Sequence, residues 1–205
     1  MDFHPASVEE LLDWKRAVFS MYEEIRRTSE PEAMWRRWRA VRDEMFASHP
    51  QSPIPPEERR IFRELPYFDY DPDMRVLADV EPAEAQHYQI TTSGDGSYSF
   101  TRYGLAKFEL GGRPLELEQY WVDGYGGGIF LPFRDATSGS TTYGAGRYLL
   151  DSIKGADLGT AGGRLVLDFN FSYNPSCAYD PRWVCPLAPP PNRLDVEIRA
   201  GERYP

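Results

Sequence analysis

Hydrophobic and polar positions along this 205-residue chain follow two different periods, and the change falls near residue 66. Before it, apolar residues recur at helical intervals. Val8, Leu11, Leu12, Val18, Phe19, Tyr22 and Ile25 form one such series, and Ser7-Val8-Glu9-Glu10 ahead of it has the spacing of a capping box. The stretch Thr28 to Pro31 interrupts the pattern. Ser29 is placed to cap a second helix whose stripe is Met34, Trp38, Val41 and Met45. His49 to Pro56 carries four prolines and reads as a linker. A short third helix from Glu57 to Leu65 is expected after it, with an acidic first turn.

Downstream the period becomes two. Tyr88 and Ile90 alternate with polar residues, Ser93-Gly94-Asp95-Gly96 supplies a hairpin turn, and Tyr98, Phe100 and Arg102 share one face beyond it. Ala106, Phe108 and Leu110 lead into Gly111-Gly112, and Leu115, Leu117, Gln119 and Trp121 follow. Further strands are expected at Ile129 to Phe133, Arg147 to Leu150, Leu165 to Asn170 and Leu194 to Arg199. Gly124 to Gly128, broken only by Tyr125, reads as a hairpin loop. The pattern predicts an α+β chain. Residues 1–66 form a helical segment with a proline-rich linker, and 67–205 form an antiparallel β-barrel or curved β-sandwich against which the helices pack.

Composition narrows the partners. Hydrophobic residues make up 41% of the chain, enough for a core. A net charge of −9 argues against nucleic acid and anionic lipid. The arginines of Met34-Trp35-Arg36-Arg37-Trp38-Arg39 fall outside the apolar stripe, as a solvated basic edge would. No apolar run approaches the roughly 18–20 residues of a membrane span, and the N-terminus lacks a secretory pattern, so the expected location is the cytoplasm. There Cys177 and Cys185 are expected as free thiols, with disulfide and catalytic thiol as the alternatives. Their spacing does not suit zinc, and nothing in the chain calls for a nicotinamide, flavin or haem cofactor.

Two polar stretches interrupt the strand pattern. Leu131 to Leu149 reads LPFRDATSGSTTYGAGRYL and Leu167 to Pro186 reads LDFNFSYNPSCAYDPRWVCP. Polar groups among core residues need partners, either one another or a ligand. Asp135 and Asp168, each following an apolar strand segment, are the candidate acid/base carboxylates. Arg147, behind glycines and hydroxyls, is the candidate anion clamp. Thr137, Tyr143, Asn170, Tyr173 and Asn174 are the candidate ligand-orienting groups. Each also has an architectural reading: Arg147 against Asp135 or Asp168, and Asn174 locking the loop before Pro175.

These residues resemble domain-of-unknown-function family 1684. The likeness rests on Ser52-Pro53, Leu65-Pro66-Tyr67-Phe68, Pro132 to Thr137, Thr142 to Tyr148, Leu167 to Asn170, Tyr173-Asn174-Pro175, Cys177-Ala178-Tyr179, Cys185-Pro186, Asn192-Arg193-Leu194 and Ala200-Gly201-Glu202. It spans roughly residues 35 to 203 and implies a globular bacterial or archaeal protein, with no activity to carry over. Two functions are therefore expected to compete. One is a small polar or anionic molecule bound at one end of the β domain, with or without hydrolytic or proton-transfer chemistry. The other is a non-catalytic module in which the polar motifs close on themselves and the working surface lies on the helices or the Tyr/Trp-bearing strands.

Overall fold

A computed structural model describes residues 5–204. Helix α1 spans Pro5–Arg26, α2 Pro31–Ser48 and the single turn α3 Pro56–Arg59. Each begins at a proline, whose fixed φ suits a first turn and whose missing N–H has no partner there to lose. The expected caps are therefore displaced. Ser7 lies inside the first turn of α1, and Glu30, not Ser29, precedes α2 without a side-chain bond. The expected third helix stops at Arg59, because Arg59 turns back to donate to the carbonyls of His49, Ser52 and Ile54 and knots the proline linker.

Seven antiparallel strands follow: β1 Arg75–Thr91, β2 Ser97–Leu110, β3 Arg113–Val122, β4 Ile129–Phe133, β5 Arg147–Asp151, β6 Thr160–Ala161 and β7 Arg164–Asp168. Their order, β5-β4-β3-β2-β1-β7-β6, leaves both edges open, so the sheet is curved and does not close into a barrel. The β2–β3 connection is Gly111-Gly112, both at positive φ, the backbone that a two-residue hairpin requires. The expected strand at Leu194 to Arg199 is instead an irregular segment. It hangs from Arg134 and Ala136 by backbone bonds and from β3 and β4 by Asn192, whose amide pairs with Glu118 and Pro132.

Two cores result because the sheet switches faces. An extra residue between Arg102 and Gly104 of β2 shifts the register, and the buried parity of β3 changes between Gln119 and Tyr120. One core gathers Ala106, Phe108, Leu117, Leu131, Phe133, Phe169 and Ile198. The other gathers Ile90, Phe100, Tyr120, Phe130 and Tyr148. The helices join through a third cluster, in which Trp35 and Trp38 pack with Met21, Tyr22, Ala156 and Phe171. The Trp35 indole donates to the Asn170 carbonyl at 3.0 Å and fixes their seat. The α1 stripe is narrower than its sequence pattern: Val8, Leu11, Leu12 and Phe19 stay 43–46% exposed.

Candidate functional site

The first polar stretch assembles around Arg147, at the start of β5. Its side chain is 1% exposed and reaches Asp135, after β4, at 3.4 Å. It also donates to the carbonyls of Ile198 at 3.0 Å, Glu202 at 3.3 Å and Ala200. Both Asp135 oxygens accept from the protein, Oδ2 from Ile198 N–H and the Thr137 hydroxyl, each at 2.7 Å, and Oδ1 from Ser138. Thr137 in turn meets Thr142 at 2.9 Å. Burial lowers the Arg147 pKa to about 10 against the pull of Asp135. Asp135, Thr137 and Arg147 are thus brought together, and the charged pair spends its bonds on the frame.

Asp168 and Asn170 form a separate lock. Asp168 Oδ1 accepts from the backbone and amide of Asn170, which also exchanges two bonds with Asp71. Asp168 Oδ2 has no hydrogen-bond partner, and Arg75 lies 3.9 Å away. Burial pushes the Asp168 carboxyl up to about 6, and Arg75, one-third exposed, only partly offsets it. The two candidate carboxylates therefore close different turns and share no hydrogen-bond partner.

A third group was not foreseen. Glu202 is fully buried. It accepts from Arg42 at 2.7 Å and from Asn174 N–H at 3.0 Å, while Tyr67 accepts from Arg42 at 2.9 Å. Burial raises the Glu202 pKa to about 7 despite Arg42. Gly201 makes this approach feasible, since a Cβ there would sit 2.1 Å from Ser172 Oγ at a φ of 75°. The signal for Arg42 was its position four residues beyond Trp38, on the buried stripe. Of the remaining predicted residues, Tyr173 meets Tyr148 edge to face and Tyr143 packs at a tilt against Tyr204. The Tyr143 hydroxyl is 3.8 Å from Cys177 Sγ. Cys177 and Cys185 are free thiols. A hydrogen bond from Cys185 holds the Cys177 pKa low, and the same bond pushes that of Cys185 up.

An apolar hollow lies elsewhere, between α1, the Phe100 face of the sheet and the 176–186 loop, with a volume of about 400 Å³. Its sheet wall is Tyr98, Phe100, Val122 and Phe130, and α1 supplies Leu11, Trp14 and Lys15. Ile153 and Lys154 close one side, and Trp183, Val184, Cys185 and Pro186 the other. The Trp183 indole N–H is buried without a partner, and Lys15 has no ion-pair partner among the described residues. The polar stretch Leu167 to Pro186 supplies one wall, but nothing in the sequence marked the hollow itself, because its other walls come from distant parts of the chain. A second hollow, of about 490 Å³, lies under α3 and is bordered by Asn174, Tyr179, Arg203 and Tyr204.

Residues 60–203 match the family of proteins of unknown function DUF1684. The chain belongs to that family. The matched span holds the whole sheet and the polar motifs, and it leaves out α1 and α2. A solved structure, the solution NMR structure of an uncharacterised protein of Haloarcula marismortui, is 38% identical, with a TM-score of 0.60. The alignment covers 84% of this chain and 93% of that one. No curated protein matches. Among the described residues no helix is long and apolar enough to cross a membrane, and no cluster of three His, Cys, Asp or Glu is placed to hold a metal ion.

Proposed function

We propose that this family member binds a small molecule in the cavity beneath α1, and that the Asp135–Arg147 and Asp168–Asn170 motifs are the frame that holds the cavity's walls. One observation carries the reading. An apolar hollow of ligand size is lined by Trp183, whose indole N–H is buried and left unpaired by the protein. Binding sites typically combine apolar walls with a few polar groups in this way. The frame reading rests on Asp135 and Arg147 being 1% exposed and bonded to the backbone around them. Proton transfer is accordingly not assigned to Asp135 or Asp168.

A neutral solvatochromic dye such as Nile red tests the reading. It should bind with a blue-shifted emission, and Leu11→Asp, at a half-exposed wall position, should weaken binding without unfolding the protein. Equal dye binding by the parent and by Leu11→Asp would reject the cavity as the site.

A second reading, closer to the polar or anionic ligand expected from the sequence, is favoured by the hollow under α3. Asn174 and Tyr179 line it with Arg203, and Asn174 Oδ1 and the Tyr179 hydroxyl are buried without partners. A thermal-shift response to small carboxylates, lost in Asn174→Ala and kept in Leu11→Asp, would select it.

A further inference from the structure

The charges around the cavity beneath α1 specify its occupant more closely. The chain has only three lysines, Lys15, Lys107 and Lys154, against a net charge of −9. Lys107 is paired with Glu81 across the sheet, and the other two line this one cavity. Lys154 lies 3.6 Å from Asp151, which also lines the cavity and is itself nearly buried. That pair cancels. Of the acidic residues near Lys15 on α1, Glu10 accepts from Gln51 at 3.2 Å and Asp13 meets His49 at 3.3 Å, and neither is in an ion pair with Lys15. Lys15 is thus the lysine of this apolar hollow without an ion pair among the described residues, and Trp183, whose indole N–H is unpaired, lines the same hollow.

Apolar walls and a single ammonium outside any ion pair favour a molecule with an apolar body and one negative charge. A doubly charged phosphate monoester would exceed the available cation, and an amine would face Lys15 as a like charge. A neutral alcohol would leave the ammonium without a counter-ion. Lysine suits the task, since its stem packs along apolar surface while its tip meets the headgroup.

Taking the cavity as the binding site, we infer that its ligand is a single-chain amphiphile ending in a carboxylate. The chain lies against Phe100, Phe130 and Val122, and the carboxylate is received by Lys15 and the Trp183 N–H.

The experiment is displacement of Nile red from the intact protein by decanoate, decanol and decylamine, each below its micellar range. Decanoate should displace the dye at roughly tenfold lower concentration than decanol, with decylamine weakest. Lys15→Met should remove that advantage, raising the decanoate midpoint roughly five- to tenfold while leaving decanol unchanged. The gap between decanoate and decanol should also narrow with added salt. Equal midpoints for decanoate and decanol, or a decanoate midpoint untouched by Lys15→Met, would overturn the carboxylate assignment and leave the cavity standing. Failure of the parent protein to bind the dye or any of the three chains would overturn the binding function itself.

Discussion

Removing the Arg147 side chain should destabilise the protein severely without touching ligand binding. In Arg147→Met the methionine fills part of the space, but the carbonyls of Ile198, Ala200 and Glu202 and one oxygen of Asp135 lose a donor in a site that is 1% exposed. Breaking one side of a buried ion pair typically costs about 3–5 kcal/mol, much of it from the stranded charge. Asp135 keeps bonds from Ile198, Thr137 and Ser138, which places the loss toward the lower half, near 3 kcal/mol. With a urea m-value of about 2 kcal/mol/M the midpoint would fall by roughly 1.5 M. Adding Asp135→Asn should recover part of the loss, because the stranded charge disappears, and the double-mutant cycle measures the coupling. Nile red affinity measured under native conditions should stay within twofold of the parent. A loss below about 1 kcal/mol, or abolished dye binding in a folded variant, would refute the frame assignment.

Other consequences follow from the same geometry. Asp168 has a pKa of about 6 in the folded state against an ordinary 3.8, so the native protein holds a proton that the unfolded chain releases. Its contribution is full below pH 3.8 and is lost as pH rises through 6, by no more than about 3 kcal/mol. Urea melts of Asp168→Asn should lack that part of the decline, and parallel profiles for variant and parent would contradict the assignment. Asn192→Ala removes three bonds that tie the 192–200 segment to β3 and β4 and should cost about 2–3 kcal/mol. Hydrogen exchange should quicken at Leu194 and Glu118, and unchanged protection there would count against the tie. Iodoacetamide should label Cys177 before Cys185, since the bond from Cys185 favours the Cys177 thiolate. Peptide mapping decides the order, and prior labelling of Cys185 would reverse it.

The parts of the fold that were legible in the sequence are those fixed by local chemistry. Alternation located β2 and β3, and Gly111-Gly112 located the hairpin between them, because two glycines take the positive φ of a tight two-residue turn without strain. The pairing of Arg147 with Asp135 was legible as one of two architectural alternatives. Closure of the sheet was not, since barrel and open sheet share the same strand period. The face switch at the β2 bulge was hidden for a related reason. One inserted residue re-aims Tyr120 while the residue types on either side stay alike. The pairing of Arg42 with Glu202 escaped notice because charged residues on a stripe or in a tail ordinarily face water, and only tertiary packing buries them together. The cavity was least legible of all. Lys15 and Lys154 become neighbours of one hollow only when α1 lies across the sheet.

The central claim, that ligand occupies the hollow beneath α1 while the polar motifs serve as frame, is tested most directly by amide and methyl chemical-shift mapping during a decanoate titration. The account predicts shifts concentrated at Leu11, Lys15, Val122, Ile153 and Val184, with Asp135, Thr137 and Arg147 unmoved. Shifts centred on Asp135 and Arg147 with the α1 signals unchanged would contradict it.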